Sequence, residues 1–484
     1  MFESVSVLDE RIREELDEHR FYSRQSWVPP TVTADGDPVH DVVVVGAGQS
    51  GLALAAQLKL RGVRRVVVVD RQPVDEPGPW STFARMPQLR TPKSIPGPDC
   101  GYPLLRFKTW FCSAYSAQEY ARFEFIPLPL WRDYLAWFRR VLDIDVIGGT
   151  EVVGLRTAGA GQPGGHLELD TVAAGGGGGR LSARKVCLAT GMTGAGRWAP
   201  PDGLVDGLPA HTVTGAWEPV DWPSMRDTEV AVIGAGATGF DNAVRALEAG
   251  CRSVTVFARR PFPKKDLYFE MWRGRDDSGV RPDEAGHPPA DLLDALLAYH
   301  RLLPDRDRLR LLDRLFAHGR SPANPDYLAR VRDVERIRIL EGCPVDGVDY
   351  DATAGKVLIR SGDRTHAVDR IVLATGPQPG LHHRPELASL ADRVLTWGDH
   401  TAGARTTPPE LAAYPKLTTH YQLRAKDGDD AGLSDVYSLA DLVHATVGLQ
   451  SIQHVAPVVA DHIAAQLYRD HLPDTLAFVE RLDD

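Results

Sequence analysis

Two short glycine runs carry the clearest chemistry in this chain. The run Asp41-Val-Val-Val-Val-Gly46-Ala-Gly48-Gln49-Ser50-Gly51 is answered far downstream by Glu229-Val-Ala-Val-Ile-Gly234-Ala-Gly236-Ala237-Thr238-Gly239. Each is a short apolar run, a GxGxxG, and then a helical pattern, the order that a dinucleotide-binding βαβ unit needs. The first glycine makes the tight turn, the second lets the backbone approach a pyrophosphate, and the third lets helix pack on strand. Two copies with correct flanks imply two dinucleotides on one chain.

The copies differ where the ribose is read. Asp70, with Arg71 beside it, ends the second strand of the first unit, Val66-Val-Val-Val-Asp70, and an acid there accepts ribose hydroxyls. That suits the unphosphorylated ribose of FAD. In the second unit the matching position is Ala258, followed by Arg259 and Arg260. An acid would repel a 2'-phosphate, whereas guanidinium forks pair with it, so the second site reads as NADPH. The alternative is that the two arginines are a solvated strand end.

The elements that must position these residues can be read around them. Leu8, Ile12 and Leu16 lie at helical spacing, and residues 1–38 read as an N-terminal helical cap with a Pro-containing linker. Residues 39–224 read as the first part of the FAD domain, 225–378 as the NADPH domain, and 379–484 as the returning second part of the FAD domain. From Glu151 to Ala189 alternating strands are broken by two glycine-rich stretches, which read as turns of a small meander because no helix follows them. Each unit closes in a buried strand and an Ala-Thr-Gly turn, ending at Gly191 in the first and at Thr375 and Gly376 in the second. Residues 283–334 read as a helical insertion, either a cover for the active site or a plain packing element. The expected class is α/β, with two Rossmann-like, doubly wound three-layer domains, the first discontinuous.

Composition narrows the function further. The 484 residues suffice for two or three domains with their own cores, and 43% hydrophobic and 25% charged residues are ordinary for a globular protein. A net charge of −10 gives no support to a nucleic-acid groove or an anionic membrane surface. The acidic start has no apolar core of a signal peptide and no apolar run reaches transmembrane length, so cytoplasm is the expected compartment. Cys100, Cys112, Cys187, Cys251 and Cys343 stand singly with no CxxC, which removes the redox pair that disulfide reductases with the same two fingerprints use. No histidine or cysteine cluster has metal-ligand spacing.

An FAD fingerprint first, an NADPH fingerprint second, two Ala-Thr-Gly turns and no redox cysteine pair together resemble the class B flavin-dependent monooxygenases. These include flavin-containing monooxygenases, Baeyer-Villiger enzymes and N-hydroxylases of amines and amino acids. The resemblance spans Asp41 to Ile463. It implies that NADPH reduces FAD, oxygen adds at the flavin C4a carbon, and bound NADP shelters the hydroperoxide from water. It places Gly78-Pro-Trp80 and Met86-Pro-Gln-Leu-Arg90-Thr-Pro-Lys93 against the flavin, with Arg90 and Lys93 as candidates to hold the peroxide, NADP or an anionic substrate group. It also sets Asp441 by the ribityl chain, and Gln450 at the start of a C-terminal helix whose dipole favours reduced flavin. An ordinary surface or packing role remains the alternative for these residues.

Departures from the family bear on the reaction. The Baeyer-Villiger fingerprint FxGxxxHxxxWP has a broken echo in Val213 to Pro223, with Pro219 at the histidine position and Trp222 one residue early. Pro92 falls where those enzymes carry an aspartate. Their reaction needs a base to keep a peroxyanion, whereas heteroatom oxidation uses the neutral form, so oxygenation of the nitrogen of a small amine or amino acid is the expectation. Sulfur or Baeyer-Villiger oxygenation, an NADPH:acceptor flavin reductase, and an NADPH-sensing binding protein are the competing readings. Partners are O2 and a small-molecule substrate, with a homo-oligomer left open.

Overall fold

The computed structural model describes residues 3–18, 26–76, 78–95, 97–158, 165–261, 292–316, 335–401, 409–428, 430, 432–440 and 451–482. Eighteen strands are described, and two sheets built on parallel strands organise them. In chain order the strands are β1 Thr31–Val32, β2 Pro38–Val45, β3 Val66–Val69, β4 Gln88–Pro92, β5 Phe125–Pro127, β6 Val146–Ile147, β7 Thr150–Ala158, β8 His166–Ala173 and β9 Gly178–Leu188. Then follow β10 Val213–Gly215, β11 Glu229–Ile233, β12 Ser253–Ala258, β13 Ile337–Glu341, β14 Gly347–Asp351, β15 Lys356–Ser361, β16 Arg364–Val368, β17 Arg370–Leu373 and β18 Val436–Ser438.

The valine run of β2 is buried throughout because both faces of a parallel sheet are covered, and the continuous apolar pattern follows from that. β2 pairs in parallel with β3 on one side and β9 on the other, β6 extends the β3 side, and β18 returns from the C-terminal end of the chain to lie parallel to β9. β7, β8 and β9 form the antiparallel meander read from the glycine-rich turns. The helix Gln49–Leu60 buries Leu52, Leu54 and Leu58 on the sheet, and Ile452–Asp470 packs along it. Val5–Glu18 sets Leu8, Ile12 and Leu16 into the same core as Trp131, Tyr134 and Phe138 of the helix Leu128–Val141, which contacts both Val5–Glu18 and Gln49–Leu60. Packing these helices against a sheet of alternating crossovers gives the doubly wound α/β class expected from the sequence.

The second sheet repeats the plan in smaller form. Its order is β10-β17-β11-β12-β13, all parallel, and β14, β15 and β16 make an antiparallel meander beside it. β10 belongs to this sheet although it precedes residue 225, where the sequence alone set the boundary. Its hydrogen-bond partner β17 lies far along the chain, so no local pattern shows the pairing. Among the described parts of the insertion, Leu309 and Leu312 are buried against Trp397, Leu411 and Tyr414, and Asp294 accepts bonds from Gln453 and the ring of His454. These contacts anchor its described helices to the returning part of the chain. Among the described residues no helix is long and apolar enough to cross a membrane.

Candidate active site

The turn after β2 shows what each fingerprint glycine is for. Gly46 has φ +110°, and a Cβ there would stand 2.5 Å from the carbonyl oxygen of Ala189 at the end of β9. A Cβ on Gly51 would lie 1.8 Å from the Gly46 carbonyl oxygen. The second sheet repeats both constraints, with 2.2 Å from Gly234 to the Ala374 carbonyl and 2.0 Å from Gly239 to the Gly234 carbonyl. Gly48 is different. A Cβ there meets only the Gly78 Cα, at an ordinary 3.6 Å. Protein packing therefore demands the first and third glycines and leaves the second to a ligand. Gly48 caps the helix that opens with Gln49 and Ser50, and Gly236 caps the one that opens with Ala237 and Thr238, so each cradle aims a helix N-terminus at an incoming anion.

Side chains around the first cradle fit a dinucleotide. Asp70 Oδ2 accepts the Ala47 N–H at 2.6 Å and Oδ1 accepts the Gln72 N–H at 2.8 Å, which fixes the carboxylate at the strand end beside exposed Arg71. A carboxylate has about four acceptor positions, so two remain for ribose hydroxyls. Gln49 Oε1, Trp80 Nε1 and Ser81 Oγ are buried and have no partner in the protein. Buried polar atoms are rarely left unpaired, and three of them beside one glycine turn fit a polar ligand that would complete them. Trp80 packs edge-on against buried Trp131 at 6.4 Å, which holds the indole at the cradle.

At the second cradle Arg259 and Arg260 stand exposed at the end of β12, directly after Ala258. The register of β12 and β13 also sets Glu341 opposite Ala258, an acid that the sequence reading did not find because it comes from a neighbouring strand. The two Ala-Thr-Gly turns sit at the carboxyl ends of β9 and β17, where ligands of open α/β sheets bind. Gly191 and Gly376 have φ +57° and +78°, and Thr375 is exposed. The chain after each turn is stitched to the other by Arg197 N–H to Gln378 O at 2.9 Å and Gln378 N–H to Arg197 O at 2.8 Å. Gly196 is needed there, since its φ is +146° and a Cβ would come within 2.1 Å of the Gln378 carbonyl. Both cradles thus open toward one seam.

The segment Phe83 to Lys93 lines that seam on the flavin side. Arg90 donates to the Asp241 carboxylate on the second fingerprint helix, and Asp241 is buried. Lys93 donates to the Tyr120 carbonyl and lies over the Tyr120 and Phe123 rings, 4.1 and 5.0 Å from their centroids. Burial pushes the Lys93 ammonium below its usual range, with smaller opposing pulls from Cys112 and Glu124. The structure thus engages both cations proposed for catalysis with protein partners. Asp441 and Gln450 lie outside the described residues.

Two nucleotide cradles on one seam define a two-dinucleotide oxidoreductase, and comparison with known proteins agrees. The pyridine nucleotide-disulphide oxidoreductase family matches residues 40–273. The FAD-dependent urate hydroxylase of Xanthomonas campestris pv. campestris is 32% identical over 486 aligned positions, spanning 99% of this chain and 95% of that protein. The ornithine hydroxylase of Pseudomonas aeruginosa shares the fold with a TM-score of 0.64 at 17% identity, over 89% of this chain and 99% of its own. The cadaverine monooxygenase of Erwinia amylovora does so with a TM-score of 0.61 at 16% identity, over 88% of this chain and 94% of its own. The chain belongs to the class B flavin-dependent monooxygenases.

Proposed function

We propose that this chain is an NADPH-dependent FAD monooxygenase that places one oxygen atom of O2 on a small nitrogen-bearing substrate. NADPH supplies two electrons, and the second oxygen atom leaves as water. FAD, when bound, takes the hydride and passes the electron pair to oxygen. The observation that carries the reading is Gly48, whose side-chain space the protein leaves open while it closes that of Gly46 and Gly51.

The protein's own part is binding, orientation and exclusion of water. The helix starting at Gln49 would meet the pyrophosphate of FAD and Asp70 its ribose, while the helix starting at Ala237 and the pair Arg259 and Arg260 would meet NADPH. Part-buried Phe83, Trp198 and Trp217 pack in sequence at 5.7 and 6.1 Å between centroids, and this apolar wall keeps water from the seam. Arg90 and Lys93 hold the segment beside the reactants through protein partners, Arg90 through the Asp241 carboxylate and Lys93 through the Tyr120 carbonyl. The division at residues 39–224, 225–378 and 379–484 is kept for the two cofactor domains, with the second sheet taking in β10. A cytoplasmic enzyme without nucleic-acid or membrane partners, in one or more copies, completes the reading.

Two substrate classes have support. The nitrogen of a small amine or amino acid fits the solved structures that share this fold, whose substrates are ornithine and cadaverine. A urate-like planar ring fits the relative that matches over the full length, and the aromatic wall offers faces on which such a ring would stack. Coupled NADPH consumption with ornithine, lysine, cadaverine and urate, followed by mass spectrometry of product made under labelled oxygen, separates the two. Label on an amine nitrogen selects the first class, label on urate selects the second, and hydrogen peroxide as the sole product with all four removes the proposal.

A further inference from the structure

One eight-residue run of the flavin unit, Phe83 to Arg90, reaches the second unit at separate points. Arg90 on β4 donates to Asp241, in the second turn of the helix Ala237–Glu248. Arg85 donates to the carbonyl oxygens of Ala216 and Glu218, just past the end of β10, and its guanidinium stands 5.6 Å from the centroid of the Trp222 ring. Ala216 belongs to the second unit's core and Trp222 packs against it. The two arginines therefore grip different parts of the same body, one its fingerprint helix and one the loop at its sheet edge.

The chemistry of each grip is demanding. Asp241 is 3% exposed, and a buried carboxylate must be paired. It also lies one turn from a helix N-terminus that receives an anion, where an uncompensated negative charge would oppose binding. Arg90 neutralises that charge from the opposite unit. Burial, and then the nearby Arg245, pull the Arg85 guanidinium down to about 10, so it remains charged at neutral pH with two carbonyl dipoles and an indole face to receive it. A lysine offers no planar fork to span two carbonyls.

We infer that Arg85 and Arg90 are a two-point clasp that fixes the NADPH unit against the flavin unit, acting as positioning residues for hydride delivery and not as substrate ligands. This rests on the FAD and NADPH reading above. Hydride transfer requires the two rings within near-contact distance, and a misplacement of about 1 Å costs on the order of 100-fold in rate.

The test compares wild type, Arg90→Gln, Arg90→Lys and the exchange Arg90→Asp with Asp241→Arg, each loaded with FAD. Two readouts are taken: hydrogen exchange of amides in residues 83–90 and 237–243, and the anaerobic rate of flavin reduction at saturating NADPH with the accompanying Kd. The clasp predicts full FAD occupancy in Arg90→Gln, faster exchange in both segments, and reduction slower by about 10- to 100-fold with a smaller change in Kd. Arg90→Lys should fall between, and the charge exchange should recover at least tenfold in rate. Unchanged exchange and unchanged reduction in Arg90→Gln would overturn the clasp. So would normal reduction with lost product formation, the signature of a substrate ligand, or an exchange variant as slow as the single one. Should Arg90→Gln not fold, Arg90→Lys and Arg85→Lys carry the same comparison. A wild type that NADPH fails to bleach would refute the cofactor reading, while the exchange data would still decide the clasp.

Discussion

The two nucleotide units solve one backbone problem identically and then part company at the strand end. In both, the first and third glycines are forced by the protein itself, with built Cβ contacts of 2.5 and 1.8 Å in the first unit and 2.2 and 2.0 Å in the second. In the first, Asp70 is tied to the glycine turn through the Ala47 N–H, so ribose recognition and turn geometry are one structure. In the second, Ala258 leaves the turn unbraced from that position, and exposed Arg259 and Arg260 follow it with Glu341 across the ladder. On the proposed reading the braced turn suits a retained FAD, and the open strand end suits an NADPH that comes and goes.

The largest effects should separate the two jobs of the glycines. Gly51→Val drives a side chain into a backbone carbonyl that cannot move aside, and overpacking of this kind costs about 1–3 kcal/mol or more, so the variant should lose folded yield. The Cβ of Gly48→Val meets no protein atom closer than ordinary contact, and the variant should fold with its normal circular dichroism while failing to hold FAD. Yellow Gly48→Val protein would show that the turn does not approach a pyrophosphate.

Next in size is Asp70→Ala. Hydrogen bonds to charged groups are worth about 1.5–3 kcal/mol, so FAD should bind roughly 100-fold more weakly and the Ala47 N–H should exchange faster. Flavin release measured on dilution checks the first, and hydrogen exchange the second. Arg259→Ala should weaken NADPH by about 10- to 100-fold and leave NADH nearly untouched. Equal losses for both cofactors, read as kcat/KM, would make that arginine structural. The smallest effect belongs to Glu341. Removing its charge in Glu341→Gln should tighten NADPH by about two- to fivefold at low salt, and the gain should fade as salt screens it.

What the sequence made legible is what is local. Each fingerprint turn, each meander turn and the acid at the end of β3 is a short feature read from neighbouring residues, and their periodicity and glycine placement carry the fold class. The seam is different because its partners are distant in the chain. Arg90 stands out as a cation near the flavin, but Asp241 is 151 residues away and reads as one more helix residue. Arg85, the Arg197 and Gln378 backbone pair, and Glu341 opposite Ala258 all depend on register or packing that no run of residues displays. Gly196 carries a signal only in retrospect, because an isolated glycine in a glycine-rich chain marks nothing until its φ and neighbours are known.

The account stands on two cradles serving one reaction, and anaerobic mixing of the FAD-loaded protein with NADPH, followed by oxygen, tests that directly. Bleaching of the flavin by NADPH, then return of its absorbance together with transfer of one labelled oxygen atom to a small nitrogen-bearing substrate, is the predicted result. A flavin that stays oxidised in saturating NADPH would contradict the account.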